Sequence, residues 1–393
     1  MRVLLCLLSK QHVPNLLSVH HYKPDQLVLV ASRAMSDGHI DQYFLKALKL
    51  GGLDYEARHR VEPVAAEYDP AAIRNALEAA LERFPADAEW IVNLTGGTKP
   101  MSIVAYEFFK DRDGSKLIYT HATRPGRFLD MRGGPTEDVR AHRLSIKEFL
   151  AGYGFELTKP EPRLAEAEER ARSWAPTARL LARRAGETDV LDLDDDERDI
   201  ARRKGIKLDA SRFDFPGDEL RDEWLGASDT VELDRHQAEF LTGGWLEVFF
   251  WDLLSRRAGA LGIWDVRLGL IVRSREGGVA NELDVAFMHN HGLSVIECKT
   301  GFQDNRDVAD ALYKVEAVVG QFGAGLVRSH LATTGANVLN ERGELKEHLR
   351  ERAAIYNCQI LTRDQIRELA GDGAEAARRL LIRRRPPRGR AEA

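Results

Sequence analysis

The chain has little cysteine, no long apolar run and no marked excess of either charge, and each shortage removes a class of protein. Cysteine occurs three times, at Cys6, Cys298 and Cys358. Residues so far apart give neither a disulfide framework nor a zinc-ligand spacing, and Cys6 and Cys298 fall inside apolar strand patterns, which suits a reducing cytoplasm. No stretch approaches the roughly 20 apolar residues of a membrane span, so no membrane role is expected. The opening MRVLLCLLSKQHVP has too brief an apolar run for a signal peptide and no small-residue cleavage site; it reads as a first buried strand. With 57 Lys and Arg against 62 Asp and Glu, the formal net charge is -5. Any case for nucleic acid must therefore rest on a local site.

What is present is length and alternation. A chain of 393 residues exceeds what one core usually serves, so two or more domains are expected. Apolar strands at Val3 to Leu8, Gln26 to Ala31, Trp90 to Leu94 and Lys116 to Thr120, with a weaker one near Tyr55 to His59, alternate with helical stretches. The helices are expected from about Pro14, over Asp37 to Leu48, over Pro70 to Phe84 and over Met101 to Lys110. Nearly all-apolar strands alternating with helices predict a parallel sheet covered on both faces. Ligands of such sheets bind outside the carboxyl ends of the strands, often at a helix amino terminus.

Two segments fall there: Ser9-Lys10 after the first strand, and Thr95-Gly96-Gly97-Thr98-Lys99-Pro100 after the fourth. The second lets the backbone approach a ligand closely and adds two hydroxyls, a lysine and a proline suited to a first helical turn. It is neither a Walker A loop nor GxGxxG. On chemistry alone it reads either as a site for an anionic or nucleotide ligand or as a glycine-rich turn without one. The run Val92-Asn93-Leu94-Thr95-Gly96-Gly97-Thr98-Lys99-Pro100-Met101 resembles the signature of CARF domains, the CRISPR-associated Rossmann-fold sensors. The resemblance covers about residues 1–150. It implies a homodimer holding a cyclic oligoadenylate across its two-fold axis, with Ser9, Lys10, Thr95, Gly96, Gly97, Thr98 and Lys99 as binding residues.

From Lys159-Pro160-Glu161-Pro162 the charge rises and strand formers vanish, so a linker is placed at 155–163, followed by an exposed helix over Arg163 to Ser173. The acidic run Asp192 to Glu197 and the basic Arg202-Arg203-Lys204 read as solvated faces. Up to about Thr230 a small helical bridge is expected, with Phe213, Phe215, Trp224 and Leu225 as its modest core. The division is 1–155 for the sensor domain, 156–230 for linker and bridge, and 231–393 for a second domain with a basic tail.

That second domain opens with a helix over Arg235 to Leu254, whose Leu246, Phe249, Phe250 and Leu253 share one face. Glu247 beside them either snorkels to solvent or completes a metal site. Asp265 to Val272 reads as a strand turning at Arg275-Glu276-Gly277-Gly278. Asn281 to Lys299 then reads as a hairpin with its turn at His289-Asn290-His291-Gly292. Symmetry about Asn290 and His291 sets Asp284 opposite Glu297, with Lys299 on the same face. Opposed carboxylates repel, and a divalent ion between them removes the conflict. Asp and Glu oxygens suit Mg2+ or Mn2+, while the lysine steadies hydroxide or developing charge.

Beyond Lys299, a polar loop over Phe302 to Arg306 leads into a helix over Asp307 to Gly320. Lys314, placed to reach a substrate phosphate or else solvated, lies on it, and Gln321 follows as a second substrate-binding candidate. Short strands are expected at Gly325 to Val327, Val338 to Leu339 and Tyr356 to Leu361. The basic Arg378 to Arg390 reads equally as a nucleic-acid contact or a solubilising terminus.

Glu247, Asp284, Glu297 and Lys299 together resemble the PD-(D/E)xK nuclease superfamily, with Leu283 in place of the motif proline. The whole chain resembles the CRISPR type III ancillary nucleases that join a CARF domain to such a nuclease. That resemblance implies an endonuclease activated by cyclic tetra-adenylate and cutting DNA, RNA or both with Mn2+ or Mg2+. The alternatives are a restriction-type or transposon-associated endonuclease with no cyclic-nucleotide gate, and a ligand-responsive regulator without catalysis.

Overall fold

A computed structural model describes residues 1–121, 126–139, 142–187, 189–215, 218–226, 228–301, 308–314, 320–322, 327–371 and 373–382. The first sheet is built around β1 (Arg2–Leu7), whose residues from Val3 onward are apolar and buried. β1 pairs in parallel with β2 (Gln26–Ser32) on one side and β4 (Glu89–Asn93) on the other. β3 (His59–Val64) and β5 (Ser115–Tyr119) extend the two sides in parallel. β6 (Arg127–Asp130) and β7 (Glu137–Asp138) close one edge antiparallel, giving the order β3-β2-β1-β4-β5-β6-β7.

Helices cover both faces, as the alternation predicts. α1 (Val13–Tyr22), α3 (Ile40–Leu50) and α6 (Ile146–Gly152) pack on one face. α4 (Pro70–Glu82) and α5 (Lys99–Phe109) pack on the other. The helix expected over 37–48 is divided: a short α2 (Arg33–Asp37) with no buried residue ends before His39, whose left-handed backbone (φ 53°) restarts the chain as α3. Nor does Tyr55 begin a strand. Its hydroxyl donates to Pro24 O at 2.9 Å, which anchors a turn beneath the sheet, and β3 starts at His59.

The second sheet has the order β15-β14-β13-β12-β11-β8. β11 (Ile263–Ser274), β12 (Asn281–His289) and β13 (Gly292–Lys299) form an antiparallel meander, and β14 (Val327–Thr333) and β15 (Cys358–Leu361) continue from β13 in parallel. Its opposite edge is β8 (Phe155–Leu157), within the stretch the sequence reads as a linker. The exposed helix expected after it is α7 (Glu161–Arg183), which buries Leu164, Ala171, Ala175, Ala178, Leu181 and Ala182 and packs on α11 (Trp245–Leu261). Alanine gives a weak apolar signal, which is why this face reads as exposed.

Between α7 and α11 lie α8 (Asp195–Lys204), α9 (Asp218–Leu225), α10 (Arg235–Glu239) and a two-stranded ribbon of β9 (Ile206–Asp209) with β10 (Thr230–Leu233). Phe213, Phe215, Leu225 and Trp224 pack there in one core with α11. The acidic and basic runs occupy the first and last turns of α8, where Asp194 and Glu197 form a capping box. Their charges complement the helix dipole and need no ligand. The helix expected over 235–254 is broken at Phe240–Gly244 by Gly243. A side chain at Gly243 would strike Thr300 Oγ1, just past the end of β13.

Toward the carboxyl end, Ala336–Val338 forms a 3-10 turn, not a strand, and the last strand begins at Cys358. Phe302 to Arg306 and residues 383–390 of the basic segment lie outside the described residues. The described part of that segment, Arg378–Ile382, is a helical turn.

Candidate active site and sensor loop

The geometry of the β12–β13 hairpin follows from its turn. Asn290 and His291 both take left-handed backbone angles (φ 49° and 59°), as a two-residue type I′ turn requires. The ladder runs from His289 opposite Gly292 to Val285 opposite Ile296. One step further out stand Asp284 and Glu297, on the face opposite Val285 and Ile296.

Both carboxylates are buried, Asp284 at 7% exposure and Glu297 at 4%. Asp284 Oδ2 accepts the Cys298 N–H at 2.7 Å. Glu297 Oε1 accepts from Lys299 Nζ and Lys314 Nζ, each at 2.9 Å. Burial, and then the charge of Glu297, push the Asp284 carboxyl up to about 7 against the pull of Cys298 N–H, Lys299 and Lys314. Glu247, in the first turn of α11, is raised well above its ordinary value by burial and then by Asp284. Burial works against the Lys299 charge, yet Glu297 and Asp284 hold its ammonium above the usual lysine range. The chain thus confines several acidic groups in little water, and among the described residues Lys299 and Lys314 both pair with Glu297.

Lys314 lies on the helical stretch 308–314 and turns inward to Glu297. Gln321 sits in the 3-10 turn Gly320–Phe322, and its side chain lies outside the described residues. Glu282, two residues before Asp284, adds charge that Glu247 feels. It was not singled out from the sequence, although its period-2 spacing from Asp284 is a usable signal.

The second candidate site stands at the carboxyl ends of β1 and β4. These adjacent strands are where the chain, having built β2 and β3 to one side, crosses to build β5 on the other, and ligands of open parallel sheets bind at such a point. The TGGTKP loop is fixed from below. Asn93 donates to Asn15 Oδ1 at 2.9 Å, and Asn15 donates to Leu7 O at 2.9 Å. Neither asparagine was marked as functional from sequence, though a polar residue closing the apolar run WIVN is a signal. A side chain at Gly96 would collide with Leu7 O, and Gly97 has φ 69°, so both glycines are required by the close packing of this loop on β1.

Thr98 caps α5, its Oγ1 accepting the Met101 N–H at 3.4 Å and donating to Glu67 O at 2.9 Å. Thr95 Oγ1 accepts the Thr120 N–H at 3.0 Å. Ser9 Oγ accepts the Gln11 N–H at 3.3 Å, and Lys10 and Lys99 are exposed. The loop therefore offers outward its backbone, a helix amino terminus and two lysines, a set complementary to phosphate.

The family described as the Card1 CARF domain matches residues 3–149, and the Card1-like endonuclease domain matches residues 234–356. The chain joins a CARF sensor domain to an endonuclease domain. Both resemblances drawn from the sequence are thereby borne out, and the protein is a nuclease. No curated protein aligns with it in sequence. Among solved structures, Can2 from Sulfobacillus thermosulfidooxidans, in complex with cyclic tetra-adenylate, superposes with a TM-score of 0.65 at 21% identity over 94% of this chain and 98% of that one. Protein VC1899 from Vibrio cholerae superposes with a TM-score of 0.74 at 19% identity, over 96% and 98%. A type III CRISPR defence DNA nuclease activated by cyclic oligoadenylate gives 0.50 at 18%, over 90% of this chain and 51% of that one. At such identities the likeness is one of fold, and the mixed second sheet behind a mostly parallel first is the shared arrangement.

Proposed function

We propose that this protein is a cytoplasmic homodimeric endonuclease switched on by cyclic tetra-adenylate, cutting DNA by nicking or single-strand cleavage, with RNA as a second candidate substrate. The observation that carries the catalytic half is the buried pair Asp284 and Glu297 on one face of a two-residue-turn hairpin, joined by Lys299. The donors present fit a hard divalent ion: carboxylate oxygens of Asp284 and Glu297, with Glu247 close enough to feel the Asp284 charge. Mg2+ or Mn2+ held there by Asp284, Glu297 and Glu247 would supply Lewis acidity and a more acidic bound water.

The chain's own groups do the rest. Glu297 fixes the Lys299 ammonium, which faces developing negative charge on the scissile phosphate. Asp284, with a pKa near neutrality in the metal-free chain, is the carboxyl that would have to be ionised to serve as a ligand. Lys314 bridges Glu297 and the substrate phosphates, and Gln321 is a second candidate for substrate contact. At the other end, Ser9, Lys10 and Thr95 to Lys99 hold the activator across the dimer axis, as the cyclic tetra-adenylate bound to Can2 suggests. Activation requires that this ligand favour one arrangement of the subunits over another. We take 1–155 as the sensor unit, 156–230 as the bridge and 231–393 as the nuclease unit.

The test is cleavage of labelled single-stranded DNA, nicked plasmid and RNA with Mn2+, with and without cyclic tetra-adenylate. Wild type cuts only with the activator, and Asp284→Ala loses at least about a thousandfold of the rate while still binding activator. Retained cleavage by Asp284→Ala overturns the site. Cleavage indifferent to activator favours the ungated endonuclease.

A further inference from the structure

Sensor and nuclease units meet where α6 lies against the start of β11 and the β12–β13 turn. Trp264 donates its indole N–H to Leu144 O at 2.7 Å, and Asp265 Oδ2 accepts the Ile146 N–H at 2.6 Å. His291, in the hairpin turn, meets the Trp264 ring edge-on with centroids 5.4 Å apart. Beside this seam His20 of α1, His142 and Glu148 of α6 bring their ligand atoms within 4.8 Å of one another. Among the described residues it is the one such group of three.

The two oxygens of Glu148 are differently committed. Oε2 closes the α6 capping box, accepting from Ser145 N–H and Oγ–H at 2.8 Å each. Oε1 faces His20 Nε2 at 3.0 Å and His142 Nε2 at 3.3 Å. The two imidazoles stack with centroids 3.5 Å apart and planes 10° from parallel. His20 and Glu148 side chains are each 4% exposed, and His20 Nε2 has no aligned hydrogen-bond partner. Burial opposes the Glu148 charge, yet His142, His20 and Ser145 hold its carboxyl well below the usual range. Gly51 closes the other side: a Cβ there would collide with Glu148 Oε1 and come within 2.7 Å of His20 Cε1. His291 is 2% exposed with Nδ1 unpartnered, and burial followed by the charge of His142 lowers its pKa to about 4.

We propose that His20, His142 and Glu148 are a site for a zinc-class divalent ion at the seam between sensor and nuclease, separate from the nuclease carboxylates and independent of the gating assigned above. Two imidazoles and one carboxylate, completed by a water, form a donor set that zinc takes, whereas Mg2+ and Mn2+ favour all-oxygen sites. The Ser145 bonds to Oε2 orient the carboxylate as an outer-shell support. The parallel stack does not let both rings face one ion in plane, so His142, half-buried on the chain leading into α6, would turn out of the stack to point its Nε2 at the ion. Bound there, the ion ties α1 to α6, the helix on which Trp264 and Asp265 of the nuclease sheet are seated.

The full chain, stripped with chelator and dialysed against Zn2+ with excess Mg2+, is assayed for bound metal by mass spectrometry. Wild type and Glu297→Ala are expected to retain about one zinc per chain, and His142→Ala to bind it at least about tenfold more weakly. Zinc should also raise the melting temperature of wild type and not of His142→Ala. Equal zinc in His142→Ala and wild type overturns the proposal, as does its loss in Glu297→Ala alone, which assigns the ion to the nuclease carboxylates. Substituting Co2+ in wild type keeps the test decisive should His142→Ala fail to fold: tetrahedral cobalt absorption that zinc displaces supports the site, and its absence overturns it.

Discussion

In the TGGTKP loop the side-chain hydroxyls already have backbone partners, Thr95 with Thr120 and Thr98 with Met101 and Glu67, and Ser102 of α5 holds the loop from behind through Leu94 O at 2.9 Å. At the hairpin site, by contrast, the buried Asp284 and the half-buried Glu247 of α11 stand beside like charge, and Lys299 and Lys314 both go to Glu297. One region has its hydroxyls satisfied before any ligand arrives. The other is electrostatically frustrated and is relieved by a cation. If these are the two sites proposed above, binding at the first should follow shape, and binding at the second charge and pH.

The sharpest way to break this contrast is Asp284→Asn, which keeps the shape and removes the charge. The folded pKa of Asp284 lies near 7 against an ordinary 3.8, so the folded state binds more protons than the unfolded between those values. Metal-free stability therefore falls as pH rises through that window. In chelator the Asn variant should gain on wild type across that window and stay about 1–3 kcal/mol more stable above it, measured by urea denaturation at a series of pH values. Adding Mg2+ should close the gap by stabilising wild type alone, and cleavage should be abolished. A pH-independent difference would show that the frustration is not there.

At the sensor loop a comparable change should act on coupling more than on stability. Thr98→Ala with Lys99→Ala removes the α5 cap and an exposed charge, costing about 1 kcal/mol by denaturation. Activator dependence should be lost at low cyclic tetra-adenylate while basal cutting is unchanged. If activation persists undiminished, the ligand is held elsewhere than at the β1–β4 crossing.

The hairpin was legible because its turn is local: Asn290 and His291 tolerate left-handed angles, strand formers flank them, and the register follows from symmetry alone. The sensor loop was legible for a similar reason, a ten-residue run after an apolar strand. Elements whose meaning lies in distant partners were not. β8 reads as a linker because three residues gain strand character only from β11, and the buried face of α7 is mostly alanine. His20, His142 and Glu148 share no spacing, and the fold alone brings them together. Lys314 reads as placed to reach a substrate phosphate or else solvated, and its pairing with Glu297 has no signal in the sequence.

Lys314→Ala tests the contrast most gently. Its ion pair with Glu297 is 42% exposed on the lysine side, so the stability cost should stay below about 1 kcal/mol. Its effect on chemistry should be clearer, because Lys314 is one of the groups that lower the Asp284 pKa. Without it, the Asp284 carboxyl should rise above its value of about 7, and the acid limb of the cleavage–pH profile should move to higher pH. Rates well above that limb should fall only about tenfold, reflecting one lost phosphate contact. If Lys314 served substrate alone, the rate would drop uniformly and the limb would stay in place. If it served the carboxylates alone, the limb would move and the plateau would not. Both changes together are what a lysine shared between Glu297 and a phosphate produces.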